Sequence, residues 1–287
     1  MSAPEVSVVI PVLDEAGNVG PLAREVAAAL AGRSWELVFV DDGSTDGTAE
    51  ACAGLPATRV VRHPRNLGQS AATITGIRAA RGRVIVTLDG DGQNDPAAIP
   101  ALLAALDDHD AAVGYRVNRQ DPLSRKLASR FAHLVRAAFL RDGIKDVGCA
   151  LRAFPREVGL SLPVYDGVHR HLPSVLCFLG LRVAQVPTAH RPRVSGRSKY
   201  GNLRRGARGL FDLLGLLWLR RRLLRIRGER ALPRLELDLR PEDEVVAPGR
   251  GPLHLGGEAG ADVGGGQAEG RLAPQDPQAT GARQLSA

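Results

Sequence analysis

An α/β fold, a mainly parallel sheet with helices on both faces, is predicted by three observations. Short β-type apolar runs alternate with helical stretches as far as residue 115. The connections between them are short, which implies right-handed crossovers and parallel strands. Two of the runs end in paired carboxylates, Asp41-Asp42 and Asp89-Gly90-Asp91, so both acidic pairs sit at carboxyl ends of parallel strands, where open α/β sheets bind ligands.

The elements follow in order. Val6 to Leu13 is an apolar run rich in Val and reads as the first strand; Val19 to Ala31 has helical spacing. Trp35 to Val40 is a second strand, stopped by the turn formers Asp41, Asp42 and Gly43. Arg59 to Val61 makes a short third strand, Gln69 to Ala80 a helix, Val84 to Leu88 a fourth strand, Ala97 to Leu106 a helix and Ala111 to Tyr115 a fifth strand. Tyr200 to Arg227 reads as a helix with an apolar middle (Leu210, Phe211, Leu213, Leu214, Leu216 to Leu219) between arginine clusters. Its uninterrupted apolar core is about eleven residues and contains Asp212, whereas a bilayer span needs about twenty. Lying in a lipid interface suits it, with a buried edge helix or a dimer contact in a homo-oligomer as the alternative. The organisation is therefore a catalytic-type domain at 1–199, a basic amphipathic helix at 200–227 and a Gly/Pro-rich tail at 228–287 with too little apolar surface to offset its ordering entropy.

Charge narrows the partners. The formal charge is +7 over 287 residues, but 228–287 holds six basic and ten acidic residues, which leaves +11 on the first 227. Such a surface suits diphosphates, lipid phosphates or an acidic leaflet. Nucleic acid is disfavoured, because no binding motif and no interleaving of aromatic with basic residues occurs. Cys52, Cys149 and Cys177 are scattered without a pairing framework, and the start lacks a basic n-region; both indicate a reducing compartment and a protein kept inside the cell. Neither a Walker A pattern nor G-x-G-x-x-G is present, so kinase-like and dinucleotide readings lack support.

The acidic pairs carry the chemistry. An Asp-x-Asp pair offers a hard divalent cation carboxylate oxygens while leaving positions for phosphate and water, and a nucleotide-sugar diphosphate supplies that phosphate. The first pair is then placed to hold base and ribose. The alternative for Asp-Gly steps is turn formation, with Ser44 or Thr45 capping a helix.

Seven blocks, in order, complete the pattern: VVIPVLDEAGN (8–18), VDDGSTDGT (40–48), RNLGQSAATITGIRAARG (65–82), LDGDGQNDP (88–96), DVGCALRAF (146–154), YDGVHRHLP (165–173) and HRPRVSGRSKYG (190–201). The chain thereby resembles the family 2 glycosyltransferases of the GT-A fold, in the branch of dolichol-phosphate mannose synthases and bacterial polyprenyl-phosphate glycosyltransferases. The resemblance implies that Asp42, with Asp41, Pro11 and Glu15, lines the nucleotide site; strand termination and capping are the alternative for Pro11 and Glu15. It implies that Asp91 and Gln93 contact Mg²⁺ or Mn²⁺ and that Asp89 lies close to the donor sugar and the metal. It puts Arg116 and Arg119, and less specifically Arg125 and Arg130, near the acceptor phosphate. Arg197, Ser198 and Lys199 then meet a lipid phosphate at the water–lipid boundary, with simple headgroup anchoring as the alternative. Asp146, Asp166, His169 and Arg170 are implied as sugar and acceptor loop contacts. His169 and His171 have a metal-like spacing but no grouped third ligand, and Cys149 reads as a small core residue. Gly90 and Gly92 depart from the larger residues often seen there and are read as changing loop flexibility, not ligand chemistry.

The activity implied is inverting transfer of a sugar from GDP-mannose or a UDP-sugar to a polyprenyl phosphate at the cytoplasmic membrane face. Such an acceptor has a second pKa of about 6, is already anionic at neutral pH, and needs no general base. The alternatives are a family 2 enzyme making polysaccharide or glycolipid without a prenyl phosphate, although the QxxRW motif of processive members is absent, and a nucleotide-sugar-binding protein without activity.

Overall fold

A computed structural model describes residues 3–117, 136–191 and 202–223, with the side chains of the last segment described from residue 211. Seven strands form one sheet: β1 (Val6–Val12), β2 (Trp35–Asp41), β3 (Thr58–Arg62), β4 (Val84–Thr87), β5 (Ala111–Arg116), β6 (Arg152–Pro155) and β7 (Val183–Thr188). The main helices are α1 (Ala16–Ala29), α2 (Thr48–Ala53), α3 (Gln69–Ala79), α4 (Ile99–Ala104), α5 (Arg156–Leu160), α6 (Val168–Phe178) and α7 (Asn202–Arg222).

The sheet order is β3-β2-β1-β4-β6-β5-β7. β1 pairs in parallel with β2 and β4, β2 with β3, and β5 with β7, while β6 runs antiparallel between β4 and β5. From β1 the chain builds outward to β3 and returns to β4 on the other side of β1. This reversal opens a crevice at the carboxyl ends of β1 and β4.

Alternation within each strand covers both faces. Val8, Ile10, Val12, Leu37 and Phe39 pack with Val19, Leu22 and Val26 of α1 and with Ile99 and Leu102 of α4. Val9, Val38, Val40 and Ile85 pack the other way, with Ile74 and Ile77 of α3 and Leu172, Val175 and Leu176 of α6. Approach on this second face is close enough to require a glycine: a Cβ on Gly76 of α3 would stand 2.4 Å from Val9 Cγ1 and 3.0 Å from Val40 Cγ2.

The five strands and three helices expected before residue 116 are all present. The sequence reading lacked α2, α5, β6 and β7, which are four to six residues long and carry weak periodicity, and α6, which holds Pro173 inside it. Helix α7 falls inside the expected 200–227, and its two faces differ. Leu213 and Leu216 join the core of α3 and α6, whereas Phe211, Leu214 and Trp218 are 78%, 60% and 64% exposed. Arg220, grouped by sequence with the lipid-facing arginines, donates instead to the Leu140 carbonyl at 2.7 Å and lies over the Phe178 ring. The tail from 228 lies outside the described residues.

Gly76→Ala should lower stability by about 1–3 kcal/mol through overpacking. Gly17→Ala in α1, where an added Cβ meets nothing within 4 Å, should be neutral or stabilising by up to about 1 kcal/mol. Urea unfolding midpoints at constant slope provide the comparison; equal effects would contradict the close approach of α3 to the sheet.

Candidate active site

A cleft of ≈ 190 Å³ opens at the crevice, lined among others by Pro11 of β1, Gln69 of α3, Asp89 after β4, Arg152 of β6, and His169 and Arg170 of α6. Five distant segments thus meet at the carboxyl ends of β1 and β4.

The first acidic motif is engaged in building this end of the sheet. Asp41, fully buried, accepts the Ser44 N–H at 2.9 Å, and its Oδ2 lies 3.1 Å from Arg62 Nε. Asp42 is 4% exposed. It accepts the Leu67 and Gly68 amides at 2.9 and 2.8 Å, and its Oδ1 is 2.8 Å from His63 Nδ1. Ser44, Thr45, Asp46 and Thr48 then clamp the β1–α1 turn: Ser44 Oγ accepts Asp14 N–H, Thr45 N–H donates to Asp14, Thr48 Oγ1 accepts Glu15 N–H and Asp46 accepts Ala16 N–H. These bonds satisfy amides at the start of α1 that the helix itself leaves open. Burial works against ionisation of Asp46, yet hydrogen bonds from Thr48 and Ala16 outweigh it and hold its carboxyl below the usual range. Glu15 occupies the N-cap position of α1 without a capping side-chain bond; its carboxylate accepts from Asn18. Pro11 lies within β1 and lines the cleft.

Of the second motif, Asp89 lines the cleft. Asp89 accepts from Gln69 Nε2 at 2.7 Å, and Asp91 accepts the Gln93 N–H at 3.1 Å. Gly90 also has a steric function: a Cβ there would stand 2.7 Å from Val12 Cγ1 and 3.1 Å from the Pro11 carbonyl oxygen. Gly92 has φ +71°, a left-handed conformation that favours glycine. Arg191 secures the loop from outside, its N–H donating to the Gln93 carbonyl and its guanidinium bridging Asp95 and Glu25. Asp89, Asp91 and Gln93 offer oxygen donors only, the type hard divalent cations prefer. Among the described residues no group of three or more His, Cys, Asp or Glu is placed to hold a metal. A cation on this loop thus needs oxygens from a ligand as well, as Mg²⁺ bound through one or two carboxylates and phosphates does.

Arg116 at the end of β5 makes a two-pronged bond to Asp146, Nε to Oδ2 at 2.7 Å and Nη2 to Oδ1 at 2.9 Å, and Gly148 N–H also donates to Asp146. Burial opposes the Asp146 charge, but the Arg116 hydrogen bonds and charge outweigh it and hold the carboxyl below its ordinary value. His169 and His171 part company: Nδ1 of the first lies 2.6 Å from Ser70 Oγ, and Nε2 of the second lies 3.5 Å from Asp212. Asp166 is exposed on the turn before α6. Cys149 is buried and accepts from Asn94, in keeping with a core residue. Arg119, Arg125, Arg130, Arg197, Ser198 and Lys199 lie outside the described residues.

Sequence reasoning missed Gln69, Ser70 and Arg152. Arg152 is 3% exposed, lines the cleft and donates to the Val147 carbonyl at 3.3 Å, while its Nε has no hydrogen-bond partner among the described residues. An arginine inside the apolar run of DVGCALRAF was the available signal, since an unmatched buried cation is expensive unless it serves a ligand.

A parallel sheet with acidic loops converging on its reversal point defines a GT-A-type sugar-transfer enzyme. The chain belongs to glycosyl transferase family 2, whose model matches residues 7–158. It is 38% identical over 229 residues to the dodecaprenyl-phosphate galacturonate synthase of Rhizobium johnstonii, covering 76% of this chain and 68% of that protein. It is 36% identical over 214 residues to the undecaprenyl-phosphate 4-deoxy-4-formamido-L-arabinose transferase of Salmonella dublin, covering 70% of this chain and 64% of that one. The chain therefore spans about two thirds of the length of these curated relatives. In fold it is similar to glucosyl-3-phosphoglycerate synthase from Mycobacterium tuberculosis in complex with Mn²⁺, UDP and glucosyl-3-phosphoglycerate, with a TM-score of 0.59 and 22% identity over 76% of this chain and 80% of that one.

Because the folded pKa of Asp146 lies below its ordinary 3.8, the Arg116 pair stabilises fully above that pH and is lost as pH falls further, through the folded value. Asp146→Asn should be less stable than wild type at neutral pH and should lose less stability on acidification below 3.8. Urea unfolding on both sides of that pH tests this; parallel losses would show that the pair contributes nothing.

Proposed function

We propose that this glycosyltransferase moves a sugar from a nucleotide-sugar to a polyprenyl phosphate in an inverting displacement, at the cytoplasmic face of the membrane, giving a lipid-linked sugar for cell-envelope assembly. The carrying observation is the similarity, over most of the family-typical region, to two enzymes whose names specify a prenyl phosphate. Residues 1–199 serve as the catalytic domain, 200–227 as the membrane-facing helix and 228–287 as a tail outside the core.

The chemistry needs positioning more than activation. A phosphate monoester with a second pKa of about 6 presents an anionic oxygen at neutral pH, so attack on the anomeric carbon proceeds without a general base. Asp89 and Asp91, with the Gln93 amide oxygen, hold Mg²⁺ or Mn²⁺. That cation supplies Lewis-acid stabilisation of the departing diphosphate. Asp89, kept in place by Gln69, faces the transferred sugar. Arg152 and Arg170 bring positive charge to the cleft, where water exclusion strengthens electrostatic stabilisation of developing charge. Arg197 and Lys199 meet the acceptor phosphate, as do Arg116 and Arg119.

Helix α7 supports the membrane-associated reading. Phe211, Leu214 and Trp218 stand at i, i+3 and i+7 on one outward face, and Arg221 and Arg222 follow, also exposed. No described helix is long and apolar enough to cross a membrane, so an interfacial seat on an acidic leaflet fits this helix best.

Asp91→Asn keeps the shape of the metal loop and removes a charge from it, so turnover with a nucleotide-sugar and undecaprenyl phosphate should fall at least 100-fold, or ~2.7 kcal/mol. Full wild-type activity in excess EDTA would remove the metal from the scheme. Replacing Phe211, Leu214 and Trp218 together by Ser should release the protein from anionic liposomes in flotation, with the circular dichroism spectrum unchanged because these side chains lie outside the core. Undiminished flotation would assign membrane contact elsewhere.

A further inference from the structure

His169 is the second residue of α6 and Ser70 the second residue of α3, and their side chains meet beside the cleft. Ser70 Oγ lies 2.6 Å from His169 Nδ1 and also accepts the Gly167 N–H at 2.8 Å. A serine hydroxyl has one proton to donate. With Gly167 already a donor, the acceptor within reach of that proton among the described residues is Nδ1. When the Ser70 hydroxyl donates to Nδ1, the ring carries its own proton on Nε2, the nitrogen left for the cleft. Burial, followed by the charges of Arg170 and Arg152, pushes the imidazole down to about 3, against a weaker pull from Asp166. The ring therefore stays uncharged through the neutral range.

The character of the other lining groups indicates what this N–H meets. An anion in the cleft would be drawn to the guanidinium groups of Arg152 and Arg170, since charge-assisted hydrogen bonds are roughly twice as strong as neutral ones. An uncharged donor, set in a cleft that also holds the carboxylate acceptor of Asp89, suits a group that accepts one hydrogen bond and donates another. A sugar hydroxyl does both.

We infer that His169 is a substrate-contacting residue that presents a fixed, neutral Nε2–H to a hydroxyl of the transferred sugar, with Ser70 as its positioning residue. This assignment rests on the proposed glycosyl transfer and deepens it. It also separates His169 from acid–base work: an Nε2 that already carries a proton cannot take one from the acceptor, and the anionic prenyl phosphate has none that must be removed.

Two measurements test it. In ¹⁵N–¹H long-range correlation spectra of the full-length protein labelled at histidine, assigned by loss of signals in His169→Gln, Nδ1 should show an acceptor-type shift. Nε2 should show a protonated-type shift, and both should hold unchanged from pH 5 to 8. Ser70→Ala should give a mixture of tautomers. A proton on Nδ1 in wild type, or titration of the ring in that range, overturns the proposal whether or not any transfer activity has been found. In turnover assays, His169→Gln, whose amide N–H reaches the Nε2 position, should keep kcat/KM within about 3-fold. His169→Asn, which reaches only the Nδ1 position, should lose roughly 10-fold or more. Affinity for the nucleoside diphosphate should be the same in all three proteins. Equal loss in Gln and Asn variants, or weaker nucleoside diphosphate binding in both, overturns the sugar contact. A wild type inert toward every nucleotide-sugar and prenyl phosphate would instead fail the proposed function, with the spectra still deciding the tautomer.

Discussion

Asp42 stands at the end of β2 with both carboxylate oxygens engaged by the turn before α3, at Leu67 N–H, Gly68 N–H and His63. Gly68 is the N-cap of that helix and has no side chain of its own to cap it. A carboxylate from a neighbouring strand therefore takes the capping role, where the helix dipole favours negative charge. Because Asp42 is buried, its desolvation is tolerable only with those donors in place. The start of α3 is thereby fixed, and the cleft is built from it: Gln69 holds Asp89, and Ser70 holds His169.

The neighbouring turn is tied down by the same logic with different atoms. Asp14 adopts φ 54°, uncommon for a residue with a side chain, and is held on both its amide and its carboxylate by Ser44 and Thr45. The Gly-Ser-Thr-Asp segment thus joins the β1–α1 and β2–α2 turns, while Asp89 of the second acidic motif lines the cleft. Two motifs of similar appearance divide the tasks of holding the rim and meeting the ligand.

Helix α7 joins the outer surface to the site. Its inner face buries Leu213 and Leu216, and Asp212 on its flank lies 3.7 Å from Arg170 and 3.5 Å from His171. Both partners belong to α6, the helix that contributes His169 and Arg170 to the cleft. An acidic residue inside an apolar helix, costly in a bilayer core, has a place here against the catalytic domain. The apolar residues on the other side remain outward.

The first five strands, the position of both acidic pairs at strand ends and the family were legible in the sequence, because each depends on local pattern: alternation, turn formers and motif order within a few dozen residues. β6 could not be read that way. Its four residues take their place between β4 and β5 by pairing with partners far along the chain. The same holds for the side chains. Sequence pointed to Asp42, Asp89 and His169, but not to Gln69, Ser70 or Arg152, which complete their surroundings. Ser70 and His169 are 99 residues apart and Asp42 and Gly68 are 26. Which carboxylate ends up braced by amides, and which faces the cleft, was decided by tertiary structure, because hydrogen bonding and desolvation depend on neighbours that the chain brings together only on folding.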